Sequence, residues 1–334
     1  MTGRAAAVQG GLAALGLLAA HLTWQREPER APGAVAVFEA SKGDVTLVRY
    51  EDDQGSTDLT RGRGGNEPAA WLHIVTKSKD PKAKTPPDRD LAGGEAAVKV
   101  LDEFAPFVSP RAFGVLDAAK LKEIGLDAPK RKLEVTVKGD VRRYDIGQPT
   151  NATGGEAFLR DTRDGRVYLL PRGMLSELQN SSHLVDRRLH TFELGDFDRM
   201  VVSSGGKQKE FLQVGRESRS TAGFAPAKAP DKRDQMAKNW HDNLWRLFPA
   251  DLLGRGEQPP GGKPNVQMRV DYYDGKTQVG WIEIARVDAN AGGVSDESSA
   301  AGEMYARTEH TANWAKLHPS GQLLPDAQKL VAAP

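Results

Sequence analysis

Residues 133–147 read LEVTVKGDVRRYDIG. Apolar and polar side chains alternate through the first five positions, which is typical of a strand with one buried face. This region predicts four consecutive strands, over residues 132–138, 142–147, 156–161 and 166–171. Asp164-Gly165, between the last two, is a dipeptide that favours a hairpin turn. Strands that follow one another through short turns indicate an antiparallel sheet.

A helix precedes these strands, and the same order of elements returns later in the chain. Val98, Leu101 and Phe104 stand at helical spacing within residues 95–108. The second half predicts a helix and three strands, over residues 234–248, 266–272, 278–285 and 303–308. In addition, the sequence of residues 155–160 resembles that of residues 302–307. We infer an internal duplication with a period of about 140–150 residues.

These elements lead to a predicted fold class and domain organisation. The predicted class is α+β, with two duplicated units of mainly antiparallel sheet, each with one main helix, after an N-terminal transmembrane helix. We predict a membrane anchor and tether over residues 1–33, a first α+β repeat unit over residues 34–190 and a second α+β repeat unit over residues 191–334.

The predicted anchor is the uncharged run of residues 5–24. A helix of that length spans roughly 30 Å, the thickness of the hydrocarbon core of a bilayer. Three interpretations remain open: an uncleaved signal anchor, which we favour, a cleaved signal peptide, and an ordinary buried helix. The favoured interpretation predicts a single-pass protein of the inner membrane, with the bulk of the chain in the periplasm.

Composition excludes several classes of function. The 334 residues carry 46 Lys and Arg against 45 Asp and Glu, a net charge of +1, so no global field attracts nucleic acid. The chain has no Cys, which excludes disulfides, thiolate nucleophiles and Cys-ligated metals. We therefore expect no nucleic-acid partner.

Motifs for catalysis or cofactor binding are absent from the sequence. The chain has no complete Walker phosphate-loop motif, no His-Glu-x-x-His and no Gly-x-Ser-x-Gly. Asp288 and Asn290 begin a segment similar to a calcium loop, but its twelfth position is Ser299 instead of Glu. We predict no catalytic, cofactor-binding or metal-binding residues.

Aromatic side chains in the second half are the candidates for a partner or ligand surface. Trp245 lies off the apolar face of the predicted helix 234–248, whereas Trp240 lies on it. Tyr272 ends the predicted strand 266–272, and Tyr273 follows it. Exposed Trp and Tyr side chains are enriched where proteins meet partners.

The first unit carries motifs of a known family. These are Gly125-Leu126-Asp127-Ala128-Pro129, the alternating strand at 133–137, Tyr144-Asp145-Ile146-Gly147 and Ala157-Phe158-Leu159-Arg160. With them, the chain resembles the bacterial domain-of-unknown-function family numbered 4340, over roughly residues 45–215. The resemblance implies an envelope protein, often encoded beside gliding-motility-type ABC transporter components. It attributes no catalytic residues.

Three functions follow as expectations. The leading one is a non-catalytic, membrane-anchored, periplasm-facing accessory or scaffold subunit of an ABC transporter-like envelope complex. Its expected partners are the membrane components of the transporter or other envelope proteins. The alternative is an extracytoplasmic module that binds a glycan or a lipid. An unrecognised hydrolase is the third, and it requires a pocket with two neighbouring carboxylates.

Overall fold

The structure is a computed structural model that describes residue 17 and residues 33–64, 67–78, 87–150, 155–216, 221–287, 302–318 and 320–333. The predicted anchor at residues 5–24 lies outside the described residues except for Leu17, and so does the calcium-like segment that begins at Asp288. In the described ranges, no helix has both the length and the apolar content to cross a bilayer.

The first part of the chain forms eleven strands and three α-helices between residues 33 and 184. The strands are β1 Val35–Phe38, β2 Val45–Glu51, β3 Gly55–Arg61, β4 Ala70–Thr76, β5 Arg89–Gly93, β6 Phe107–Ser109, β7 Ala112–Val115, β8 Arg131–Val137, β9 Asp140–Pro149, β10 Ala157–Asp161 and β11 Arg166–Leu170. The helices are α1 Glu95–Glu103, α2 Ala118–Glu123 and α3 Arg172–Gln179, and a 3₁₀ turn follows at Ser181–Leu184.

The second part adds eight strands and two helices. The strands are β12 Arg199–Ser204, β13 Lys207–Val214, β14 Gly223–Pro226, β15 Pro249–Leu252, β16 Asn265–Asp274, β17 Thr277–Val287, β18 Glu303–Thr308 and β19 Ala315–Leu317. The helices are α4 Gln235–Trp245 and α5 Leu323–Ala332.

The predicted α+β class is wrong, because the described residues are dominated by sheet. Three antiparallel sheets contain nine, eight and two strands. The composition of residues 51–68 and 216–232 is typical of loops, yet these residues contain β3 and β14. Gly, Ser, Asp and Pro in these strands weaken the local signal, and neighbouring strands on the sheet impose the extended backbone instead.

The two large sheets have corresponding strand orders. Sheet one runs β5-β4-β3-β2-β8-β9-β10-β11-β7, and sheet two runs β14-β13-β12-β16-β17-β18-β19-β15. If β4 of sheet one is aligned with β14 of sheet two, each following strand in the order of sheet one has a counterpart in the order of sheet two. Strand β5 is then the one strand of sheet one without a counterpart. The similar sequences of residues 155–160 and 302–307 fall on the matched strands β10 and β18.

Each large sheet buries one face under helices. In sheet one, Val100 and Leu101 of α1, and Phe104 just after it, belong to the same buried cluster as strand residues such as Leu59 and Tyr144. In sheet two, α4 and α5 cover the corresponding face through a buried cluster that includes Ala237, Met268, Val270, Tyr272, Ile282, Ile284, Ala306, Ala327 and Leu330. The predicted boundary between units at residue 190 stays a prediction.

Gly125 and Gly147 of the family motif allow the turn after α2 to pack closely against strand β9. Gly125 follows α2 with a φ of +69°, a conformation that favours glycine. Gln148 N donates to the carbonyl oxygen of Ile124 at 2.8 Å, which draws β9 against this turn. A Cβ on Gly147 would lie 2.5 Å from the same Ile124 oxygen. Both glycines are therefore required by the packing of the turn on the strand.

The two large sheets meet at strands β5 and β15. The Arg89 guanidinium lies 3.3 Å from a carboxylate oxygen of Asp251 and also donates to the carbonyl oxygen of Leu252. Arg255 N donates to the carbonyl oxygen of Asp90 at 2.7 Å. A space of only about 20 Å³ remains between Leu91 and the second unit. This part of the junction is filled.

Candidate ligand-binding site

One face of helix α4 forms a wall of a cavity in the second unit. The helix begins after Asp234, whose Oδ1 accepts a hydrogen bond from the Ala237 amide at 2.9 Å. Residues three or four apart on a helix share a face. The side chains on this face are Lys238, His241, Asp242, Trp245 and Arg246.

The rest of the cavity is formed by strands β13 and β14 and by the loop before β12. Gln213 and Phe224 come from the two strands, and Glu193 and Leu194 come from the loop. The cavity volume is about 390 Å³. Ligand pockets are typically about 300–1,000 Å³, so the cavity is large enough for a small organic molecule.

Because Gly223 has no side chain, the cavity extends to the backbone of β14. The residue is buried, yet a Cβ built on it meets no atom within 4 Å. In a packed interior, an added Cβ would contact several neighbours. The space above Gly223 is therefore part of the cavity, and a larger side chain at this position would fill it.

The charged side chains that line the cavity differ in how closely an oppositely charged side chain approaches them. Lys238 and Asp242 pair with each other at 2.8 Å along α4. Arg216 is 3.6 Å from Asp274, a longer distance than the about 2.7–2.9 Å of a charge-assisted hydrogen bond. Arg246 is exposed and forms no ion pair with a described residue. The positive charges on the guanidinium groups are thus the least neutralised.

Aromatic rings form the inner part of the cavity and the core behind it. His241 Nε2 lies 3.2 Å from the Tyr272 hydroxyl, and both residues are buried. Burial lowers the pKa of His241 to about 3, so its imidazole is neutral at pH 7. Burial also raises the pKa of the Tyr272 phenol far above its usual range. The pair is a neutral, polar contact inside an aromatic cluster.

Trp245 is the sequence-predicted residue that lines the cavity. It is partly buried, and the His190 ring stacks on it at 5.1 Å with an angle of 7° between the planes. The Tyr272 ring meets it edge-on at 5.9 Å. The structure therefore brings Trp245 and Tyr272 together, with Tyr272 behind the cavity.

The other two predicted residues lie elsewhere. Trp240 is buried in the core, where its Nε1 donates to the carbonyl oxygen of Leu323 at 3.0 Å and joins α4 to α5. Tyr273 is partly buried, and the Arg199 guanidinium carbon lies 4.1 Å from the centre of its ring. Neither residue lines the cavity.

A second cavity, of about 310 Å³, lies where the two units meet. It is lined by Arg61, Arg63 and Trp71 of the first unit and by Arg255 of the second. The Arg255 guanidinium carbon lies 3.5 Å from the centre of the Trp71 ring and covers that face of the indole. The ring is therefore not a free platform for a ligand.

Sequence reasoning missed most of the residues that line the α4 cavity. Lys238, His241 and Asp242 were detectable in principle, because they share a helical face with Trp245. Gly223 and Phe224 were not, because their segment gives no strand signal. The described residues contain no group of three or more His, Asp or Glu placed to hold a metal ion.

Comparison with known proteins identifies a family for part of the chain. Residues 108–244 match the model of the family described as "Domain of unknown function (DUF4340)". The predicted resemblance to family 4340 is confirmed over these residues. They run from β6 to the last turn of α4 and so include most of the cavity wall. No curated protein and no solved structure matches the chain.

Proposed function

We propose that the chain is a non-catalytic accessory or scaffold subunit of an ABC transporter-like envelope complex. The match of residues 108–244 to the DUF4340 family model supports this proposal. It resides in the inner membrane with its bulk in the periplasm, and it acts through contact with other proteins of that complex. The transporter context is what the family resemblance implies. The structural observation that carries the contact is the open outer edge of sheet one.

Strand β7 forms this edge. It is the last strand of sheet one, and β11 is its one partner among the described strands. Val115 at its end is 71% exposed. An edge strand presents unpaired backbone N–H and C=O groups, to which an extended segment of a partner adds as a further strand. The opposite edge, β5, is covered by the second unit.

The outer edge of sheet two is less available. The carbonyl oxygen of Phe224 in β14 accepts a hydrogen bond from the Asp234 amide at 2.8 Å, and Pro226 has no N–H to donate. By contrast, β7 has no proline and carries Phe113, whose ring packs on that of Phe158 at 5.7 Å. Because β7 is short and bulged, its backbone alone gives limited pairing, and exposed side chains supply specificity.

Affinity recovery of the full-length chain from its native membranes tests this function. We expect the unsubstituted chain to recover membrane components of an ABC transporter. Val115→Asp places a charge on the proposed edge, and we expect it to reduce that recovery severalfold, since apolar contact and strand pairing are both weakened. Val266→Asp, at an exposed apolar position of β16, is the matched control and should leave recovery unchanged.

Two outcomes contradict the proposal. One is recovery of no transporter component by the unsubstituted chain. The other is equal recovery by Val115→Asp and Val266→Asp when both variants show the thermal stability of the unsubstituted protein.

A second function, an extracytoplasmic module that binds a glycan or a lipid, is favoured by the α4 cavity. Its volume, aromatic wall and convergent polar side chains are typical of small-molecule sites. The cavity lies inside the second unit. Thermal unfolding in the presence of soluble sugars and short-chain lipids tests this function. A ligand should raise the Tm of the unsubstituted chain and not that of Gly223→Leu, and the absence of any such ligand would argue against it.

A further inference from the structure

We propose that the α4 cavity binds a small organic anion with an apolar body, whose charged group lies at Arg246 and Arg216 and whose apolar part lies against Phe224 and Gly223. This inference rests on the second proposed function, binding in the cavity, and specifies the chemistry of its ligand.

The charges of the cavity favour an anion. Lys238, Arg216 and Arg246 supply three cations, against the two carboxylates of Glu193 and Asp242. Asp242 is already neutralised by Lys238 at 2.8 Å. Arg216 lies 3.6 Å from Asp274, so the exposed Arg246 guanidinium, which forms no ion pair with a described residue, is the least neutralised cation. Guanidinium groups bind carboxylate and phosphate oxygens through paired N–H donors, so an anionic ligand completes their hydrogen bonding.

The inner part of the cavity favours an apolar group. Phe224 is 4% exposed, and the space above Gly223 has no atom within 4 Å of the position of a Cβ. His241, beside them, is uncharged at neutral pH, so no charge lies on this inner surface. An apolar group that enters this space is removed from water, and this burial of apolar surface favours binding.

The two surfaces lie at different depths, which sets the orientation of the ligand. Arg246 is exposed, and the Arg216 side chain is 47% exposed, so both lie at the cavity mouth. Phe224 and Gly223 are buried at its inner end. A ligand with a charge at one end and an apolar body at the other matches this arrangement. Fatty-acid-like carboxylates and acidic sugars share the anionic group, and only the former have the apolar body.

Fluorescence titration of the full-length chain with 1-anilinonaphthalene-8-sulfonate, an apolar anion, provides the first test. We expect saturable binding of one probe per chain. Gly223→Leu fills the inner space and should raise the Kd roughly tenfold or more, since a bound apolar group is excluded. The matched control is Gly173→Leu, at an exposed position of α3 where a Cβ also meets nothing within 4 Å.

The charge requirement is tested with Arg246→Gln and with competitors. Arg246→Gln should raise the Kd of the probe several-fold, because a charge-assisted contact is lost. Lys276→Gln, an exposed cation of the β16–β17 turn, is the control and should leave the Kd unchanged. Octanoate should displace the probe at lower concentration than either 1-octanol, which lacks the charge, or glucuronate, which lacks the apolar body.

The outcomes separate two kinds of failure. If the probe does not bind, or binds equally to Gly223→Leu and Gly173→Leu, the cavity is not a ligand site and the second proposed function fails with the inference. If Gly223→Leu abolishes binding but 1-octanol or glucuronate competes as well as octanoate, the cavity binds a ligand and the proposed chemical class is wrong.

Discussion

Arg89 of β5 and Asp251 of β15 approach to 3.3 Å and join the edge strands of two separate sheets. The same guanidinium lies 3.3 Å from a carboxylate oxygen of Glu257, so one side chain contacts two acids of the second unit. It is partly buried, at 29% exposed. Arg89 therefore links the two sheets through its side chain.

We expect Arg89→Ala to lower the free energy of unfolding by about 1–3 kcal/mol, because two carboxylates lose a charged hydrogen-bond donor. We also expect calorimetry to show a broader or more divided transition than that of the unsubstituted chain, because the two units would unfold less cooperatively. The control is Arg166→Ala, whose exposed pair with Asp164 at 3.5 Å lies at the end of β11 in sheet one and should cost less than about 1 kcal/mol. Equal effects of the two substitutions would show that Arg89 has no special role.

A methyl group at Gly147 should destabilise the first unit. The Cβ of Gly147→Ala would lie 2.5 Å from the Ile124 carbonyl oxygen, and that oxygen also holds the β9 contact through Gln148. We expect a loss of about 1–3 kcal/mol in urea unfolding. Gly173→Ala, on the exposed side of α3, is the control and should be neutral or slightly stabilising. A neutral Gly147→Ala would refute the assigned role of this glycine.

His241 should make the second unit sensitive to acid. Burial holds its pKa at about 3, below the about 6.5 of an unfolded chain, so the unfolded state binds a proton first as the pH falls. Its contribution to stability is complete above pH about 6.5 and is lost progressively towards pH 3, with a slope of up to about 1.4 kcal/mol per pH unit.

The measurement is the free energy of unfolding between pH 7 and pH 4. We expect a shallower pH dependence in His241→Gln than in the unsubstituted chain, even though the variant starts less stable at pH 7 because Tyr272 loses its partner. His183→Gln, at an exposed histidine of the first unit, should keep the full slope. Parallel curves for all three proteins would exclude His241 as the source.

Trp240 should act in stability and not in binding. Trp240→Phe removes the hydrogen bond to the Leu323 carbonyl oxygen and leaves space between α4 and α5. We expect a loss of about 2–4 kcal/mol and faster proteolysis of the C-terminal helix, with no change in the Kd of the anilinonaphthalene probe. Trp281→Phe, at a half-buried position of β17, should cost less. A weakened Kd in a folded Trp240→Phe variant would place Trp240 in the site.

Local patterns in the sequence were sufficient for elements with strong periodicity. Helix α4 was predicted over residues 234–248 and extends over Gln235–Trp245, because its apolar side chains repeat at helical spacing. Strands β8 and β9 agree with the alternation around residues 133–147. Strand β3 was missed, since buried Ser56 and Thr57 give no apolar signal and the strands on both sides hold it in place.

Some residues of the candidate site could be predicted from the sequence, and others could not. Trp245 was identifiable because it lies off the apolar face of its helix. Adjacent strand residues have opposite faces, so the sequence could not decide which of Tyr272 and Tyr273 is buried. The structure buries Tyr272 completely, and the Arg199 guanidinium lies against Tyr273. Phe224 could not be predicted, because its role depends on the position of β14 beside α4.

The filled junction at Arg89 has a mechanical consequence. Within each sheet, continuous ladders of backbone hydrogen bonds resist deformation, whereas the sheets are fastened to each other by a few side chains and one backbone bond at β5 and β15. Bending therefore concentrates at this joint. A force applied through a partner bound at β7 would be transmitted across the whole width of sheet one. It would first break the contacts of Arg89 with the second unit.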